Sequence, residues 1–170
     1  MLAYWLTPSA NERAFFSATI RALAEQYGAS LFAPHVTLYG SENDRASAPA
    51  ALAQAAAAFE QITLEVDGIA CSDELAKTVF VQFKPSDGLS RLSALFRSAS
   101  RSGDNYDLNP HLSLIYQDLP MATKLEIGAS VILPFKEVLF DRIQAVELPG
   151  RFRKPADVQT WKVIAVESLR

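Results

Sequence analysis

Pro34-His35-Val36-Thr37-Leu38-Tyr39 and Pro110-His111-Leu112-Ser113-Leu114-Ile115-Tyr116 are one phrase written twice. Each runs Pro-His, aliphatic, hydroxyl, Leu, with an aromatic close behind. The copies lie 111 − 35 = 76 residues apart in a chain of 170, and they hold both of its histidines. Each reads as a short strand, and side chains alternate across a strand with period two. His35 and Thr37 therefore share one face, as do His111 and Ser113. Val36, Leu38, Leu112 and Leu114 point the other way, into a core.

The elements around each copy repeat as well. Leu2 to Leu6 reads as a buried strand stopped by Thr7-Pro8. Ser9 to Glu12 has the spacing of a capping box and starts a helix to about Tyr27, with Phe16, Ile20, Leu23 and Tyr27 on one face and Gly28 as its stop. After the first motif strand comes an alanine-rich helix from Pro49 to Phe59, then strands over Ile62 to Ala70 and Val79 to Phe83. Lys84 to Gly88 is turn chemistry, and a helix follows over Leu89 to Ala99. A polar loop leads into the second motif strand. A helix from Met121, an extended strand from Glu137 to Leu148, a basic loop and a last strand from Trp161 to Glu167 complete the chain. The order is β-α-β-α-β followed by β-α-β-α-β-β. It predicts an α+β domain spanning residues 1–170, with two pseudo-symmetric lobes whose antiparallel sheets line a central cleft and whose helices pack outside. Two copies at a long period do not make a solenoid.

Composition narrows the function. Hydrophobic residues are 49% of the total and charged residues 21%, which fits a folded domain with a substantial core. The net charge of −3 and a pI near 5.4 argue against gripping long nucleic acid through its phosphates. A small anionic ligand held by a local cluster remains compatible. The single cysteine, Cys71, forms no internal disulfide, and no Cys/His set has structural-zinc spacing. No secretory leader or apolar run of membrane-spanning length is evident, so the expectation is a cytoplasmic monomer with no membrane partner.

If the lobes face each other, two imidazoles and two hydroxyls meet in one cleft. Two groups that exchange protons near neutral pH are what in-line attack at phosphorus requires. One His takes the proton of the nucleophile while the other gives one to the leaving oxygen. Thr37 and Ser113 then donate to the non-bridging oxygens. Two histidines without a carboxylate in either motif favour this over a metal site, so neither a metal nor another cofactor is expected. Tyr39, two residues beyond Thr37, falls on the His35 face and is expected at the cleft. Tyr116 has the opposite parity to His111 and belongs in the core unless the strand bulges. Trp5 or Tyr4 is placed to stack on a base, Arg151, Arg153 and Lys154 to close over an anion, and Cys71 to pack as a small apolar residue.

At His35-Val36-Thr37 and His111-Leu112-Ser113 the chain resembles the two-histidine (2H) phosphoesterase superfamily. The likeness is strongest to its cyclic phosphodiesterase branch, through Pro-His-hydrophobic-Thr/Ser at both motifs, the opening strand Ala3-Tyr4-Trp5-Leu6 and the closing Trp161-Lys162-Val163-Ile164-Ala165. The resemblance implies metal-independent hydrolysis of a nucleoside 2′,3′-cyclic phosphate or an ADP-ribose 1″,2″-cyclic phosphate, with RNA ends as further partners. It implies His35 and His111 as the catalytic pair, with His111 leaning to base and His35 to acid. The alternative is an RNA-end-binding or 2′,5′-RNA ligase-like protein. An acyl- or proton-transfer enzyme lacks an evident nucleophile. Serine stands in the second motif where many members have threonine, and the hydroxyl is kept.

Overall fold

The computed structural model of the chain describes residues 1–41, 45–100, 106–150 and 152–170. Its elements are β1 (Leu2–Pro8), α1 (Ala10–Tyr27), β2 (Val36–Ser41), α2 (Ala48–Ala58), β3 (Ile62–Cys71), β4 (Val79–Phe83), α3 (Asp87–Ala99), β5 (His111–Ile115), α4 (Met121–Ser130), β6 (Glu137–Glu147) and β7 (Lys162–Ser168). Short 3-10 turns occupy Arg45–Ser47, Leu75–Lys77 and Pro155–Thr160, stretches with no helical or strand periodicity in the sequence. The order matches the sequence expectation element for element, with ends moved by a few residues. No helix among the described residues is long and apolar enough to cross a membrane.

Local chemistry sets the ends. Gly28 closes α1 in the left-handed conformation at φ 65°, and its N–H reaches the Ala24 carbonyl. Ser9 sits at the N-cap of α1 but forms no side-chain cap. Its hydroxyl donates to the Glu12 carboxylate instead, so the expected capping box is not made. Ser86 does cap α3, accepting from the Leu89 N–H at 3.4 Å.

All strand pairs are antiparallel, and they run β1-β2-β5-β4-β3-β6 with β6 returning to pair β1. The ladder thus closes on itself, and β7 is added on β6. Closure leaves few free edges. The halves meet at two seams. At one, Val36 pairs with Leu112, and 112 − 36 = 76. At the other, Thr63 pairs with Leu139, and 139 − 63 = 76. Both pairs join residues at the motif spacing, so a pseudo-two-fold axis passes through both seams. The helices obey it too: α1 packs on β5 of the other half, and α3 on β2. Val36, Leu38, Leu112 and Leu114 are fully buried in the shared core, as their parity requires.

One departure from simple alternation occurs twice. Along β1–β2, Tyr4 faces Tyr39 while Trp5 faces Thr37, so Leu38 is an extra residue. Along β4–β5, Val79 faces Ile115 while Phe80 faces Ser113, so Leu114 is extra. Each motif strand therefore carries a bulge immediately after its hydroxyl residue. A bulge leaves a backbone group without its ladder partner. At the first, the Ser93 hydroxyl of α3 donates to the Leu38 carbonyl at 2.6 Å.

Candidate active site

The bulges reset strand parity and so decide which side chains reach the cleft. Before each bulge, His35 and Thr37, or His111, face the cleft. Beyond it the facing positions are Gly40 and Tyr116, which are equivalent in the two halves. Tyr39 is turned inward. It is fully buried in the core with its ring against Tyr106, so the expectation that it lines the cleft is corrected by the one-residue insertion at Leu38. The same insertion at Leu114 brings Tyr116 to the cleft.

The cleft encloses about 380 Å³, within the usual range for a small-ligand site. Both imidazoles are held in the same way. His35 Nδ1 lies 2.7 Å from the Ala33 carbonyl, and His111 Nδ1 lies 2.8 Å from the Asn109 carbonyl, each two residues back. A carbonyl only accepts, so Nδ1 carries the proton and the neutral ring keeps its Nε2 lone pair. Each ring also has an aromatic partner from the paired strand. Trp5 stacks on His35 at 3.7 Å and 13°, while Phe80, its counterpart across the axis, meets His111 edge-on at 5.4 Å.

The two histidines are nevertheless inequivalent. Burial lowers the pKa of His35 to about 4, against the Ala33 hydrogen bond, and the charge of His111 lowers it further. His111 is lowered as well, mainly by burial, with the Asn109 carbonyl opposing, Lys77 lowering it and Glu74 raising it. At neutral pH both rings are uncharged.

This carries a consequence for stability. A histidine whose folded pKa lies below its unfolded value disfavours the folded state once the unfolded chain is protonated. The contribution is complete above about pH 6.5 and is lost as pH falls towards 4. For His35 it amounts to roughly 3 kcal/mol. Urea titrations between pH 7 and pH 4 should show a smaller loss of stability for His35→Gln than for the unaltered protein. Equal losses would remove the assignment.

The hydroxyls also differ. Thr37 stands in the cleft wall. Ser113 is buried one layer behind, its Oγ donating to the Ala76 carbonyl at 3.1 Å. Tyr116 shares a hydrogen bond with Ser113, and burial pushes its phenol up to about 12. Lys77, in the 3-10 turn before β4, brings an ammonium to the cleft and is paired with Glu74 at 3.4 Å.

Trp5 is only 4% exposed and has one face covered by His35, so it supports the imidazole and offers little surface to a base. Tyr4 is buried against Phe96 in the core. Phe152 and Trp161, both partly exposed and backed by the buried Tyr116, form the aromatic wall of the cleft. Arg151 lies outside the described residues. Arg153 and Lys154 line a neighbouring pocket and not this cleft. Cys71 is half-buried with its sulfur 3.7 Å from that of Met121. Among the described residues, no three His, Cys, Asp or Glu side chains gather as a metal-ligand set.

Sequence reading missed Lys77, Ala76, Tyr106 and Phe152. The first two lie in a turn with no periodic signal, and Tyr106 and Phe152 lie in loops that tertiary folding carries to the cleft.

Comparison with known proteins agrees with the fold. The structure is similar to LigT of E. coli in its apo form, with a TM-score of 0.56, 16% identity, and coverage of 99% of this chain and 96% of that one. It is similar to TT0787 of Thermus thermophilus, with a TM-score of 0.61, 17% identity, and coverage of 99% and 97%. A third similar structure is E. coli LigT complexed with 3′-AMP, with a TM-score of 0.58, 19% identity, and coverage of 99% and 97%. No curated protein matches the chain in sequence. The family model of the 2′-5′ RNA ligase superfamily matches residues 7–150. With that match across most of its length and two histidine motifs related by a pseudo-dyad, the chain belongs to the 2′-5′ RNA ligase superfamily, the 2H phosphoesterases.

Proposed function

We propose that the chain hydrolyses a nucleoside 2′,3′-cyclic phosphate or ADP-ribose 1″,2″-cyclic phosphate by metal-independent acid–base catalysis. The observation that carries this reading is the identical tethering of two neutral imidazoles, each with Nδ1 fixed on the carbonyl two residues back. Among the described residues both Nε2 atoms carry no hydrogen bond, which leaves them for proton exchange.

In the proposed reaction one imidazole removes a proton from water as it attacks phosphorus. The P–O bond opposite breaks, and the other, protonated imidazole delivers a proton to the departing ring oxygen. Burial and the Coulombic effect of His111 hold His35 neutral, which supports His35 as the base. His111 is less buried than His35, and the negative charge of a bound phosphate would favour its protonated form, which supports it as the acid. This assignment reverses the one implied by resemblance. The face of Trp5 would stabilise the imidazolium formed on His35, an effect worth ~0.5–2 kcal/mol. Thr37, Lys77 and the Tyr116 phenol are the groups proposed to meet the non-bridging oxygens as charge builds there. The aromatic wall of Phe152 and Trp161 would take a base, and the 3′-AMP bound by LigT is a ligand of that class.

The test is a product-resolved assay over 2′,3′-cyclic nucleotides, ADP-ribose 1″,2″-cyclic phosphate and 2′,5′-linked dinucleotides, run with and without EDTA. Cyclic phosphates are expected to open at the same rate in both. Activity confined to the 2′,5′ linkages would favour the RNA ligase-like alternative, and a requirement for added metal would sink the mechanism.

A further inference from the structure

A second pocket of about 350 Å³ lies against the cleft. Three chain segments supply neighbouring residues to both. Ala76 and Lys77 face the cleft while Leu75 faces the pocket; Tyr116 faces the cleft and Gln117 the pocket; Phe152 faces the cleft and Arg153 the pocket. Adjacent residues are ~3.8 Å apart, so in three segments consecutive residues line the pocket and the cleft.

Its chemistry is cationic at the floor and at the rim. Lys124 of α4 is only 5% exposed. Its Nζ donates to the Ser72 carbonyl at 3.0 Å and to Asp73 Oδ1 at 3.3 Å, whereas an ammonium has three donors. The Asp73 side chain is 88% exposed, so solvent screens the pair. Arg153 and Lys154 stand at the rim. Their backbone N–H groups both donate to Asp157 Oδ2, at 2.9 and 3.1 Å, which fixes the loop that carries them. Three cations face two carboxylates here, Asp73 and Asp118, and Asp73 is already engaged by Lys124. Asp157, which holds the Arg153 and Lys154 N–H groups, adds a third carboxylate beside the rim, so the pocket offers three cationic side chains without a net excess of charge.

We propose that this pocket seats a second phosphate of the substrate, one linkage away from the phosphate in the cleft. The inference rests on the proposed phosphodiesterase reading, and it narrows the substrate to cyclic-phosphate ends that carry a further phosphate. Three sources share that chemistry: a 5′-phosphate, an internucleotide diester, and the diphosphate bridge of an ADP-ribose. A bare nucleoside 2′,3′-cyclic phosphate leaves the pocket unfilled.

Two measurements test it. In calorimetry, adenosine 3′,5′-bisphosphate is expected to bind at least tenfold more tightly than adenosine 3′-monophosphate. In kinetics, kcat/KM for a 5′-phosphorylated adenosine 2′,3′-cyclic phosphate, a dinucleotide ending in a cyclic phosphate and ADP-ribose cyclic phosphate is compared with that of unphosphorylated adenosine 2′,3′-cyclic phosphate. The substrate with the largest advantage identifies the source. The double variant Arg153→Ala/Lys154→Ala, altered only at exposed side chains, should bring the bisphosphate-to-monophosphate affinity ratio close to one. Lys124→Met should do the same if it folds.

Hydrolysis of the bare cyclic nucleotide with no advantage for any second phosphate would overturn this inference and leave the phosphodiesterase reading standing. So would an affinity ratio unchanged in the double variant. Tighter bisphosphate binding that depends on Arg153 and Lys154, in a protein that opens no cyclic phosphate, would keep the pocket and remove that reading.

Discussion

His35→Ala and His111→Ala should each lower kcat on a 2′,3′-cyclic nucleotide by ~10²–10⁴, the usual range for a single general acid or base. The rings are held by local carbonyl contacts and stacking, not by each other. Loss of one should therefore leave the other in place, and KM should move less than kcat. The two variants separate when the leaving oxygen is replaced by sulfur, because a thiolate departs without a proton. The variant lacking the acid should then recover most of its rate, while the variant lacking the base should not. On the assignment proposed above, rescue belongs to His111→Ala. Rescue of His35→Ala instead would restore the assignment implied by resemblance. Full activity of either variant on the ordinary substrate would remove that residue from the mechanism.

Phe140→Ala should be the most damaging of the core truncations, costing ~3–5 kcal/mol. Phe140 is fully buried and lies in β6, the strand that both halves use. It is opposite Pro8 of β1 and Ile62 of β3, and its ring meets Phe83 edge-on at 5.6 Å. Deleting it opens a cavity where the two halves are joined. Against a typical total of ~5–15 kcal/mol, such a loss would leave the protein close to unfolding. Denaturant midpoints measure it directly, and a change below ~1 kcal/mol would show that the seam tolerates the void.

The element order was readable because α1 and α3 have clear apolar faces, such as Phe16, Ile20 and Leu23 before Gly28, and α2 is alanine-rich. The two Pro-His phrases placed both imidazoles correctly in one cleft. Period-two reading failed at Ser113, which is buried behind the cleft wall instead of lining it, and beyond both hydroxyls. Leu38 and Leu114 look like ordinary inward residues of a strand, and nothing in their chemistry announces an insertion. One extra residue is enough to send Tyr39 inward and bring Tyr116 out. The Leu75–Lys77 turn and the loop at Phe152 were opaque for a different reason. Their value lies in contacts distant in sequence, which no local pattern encodes. The basic loop was recognised as a cluster, but its destination beside the cleft depends on how Asp157 ties the backbone of Arg153 and Lys154.

The axis relating Val36 to Leu112 and Thr63 to Leu139 bears on direction as well as on architecture. In an in-line displacement, the five-coordinate phosphorus has an entering and a departing oxygen at opposite apices, and a half-turn exchanges them. A protein with the same half-turn built into its strands presents nearly the same surroundings to both apices. In the proposed reaction, His35 and His111 would therefore exchange roles between the forward and the reverse direction. A superfamily built this way can include both ligases and esterases on one frame. In this chain the surroundings of the two apices differ across the axis at Trp5 against Phe80, Thr37 against Ser113, and Gly40 against Tyr116.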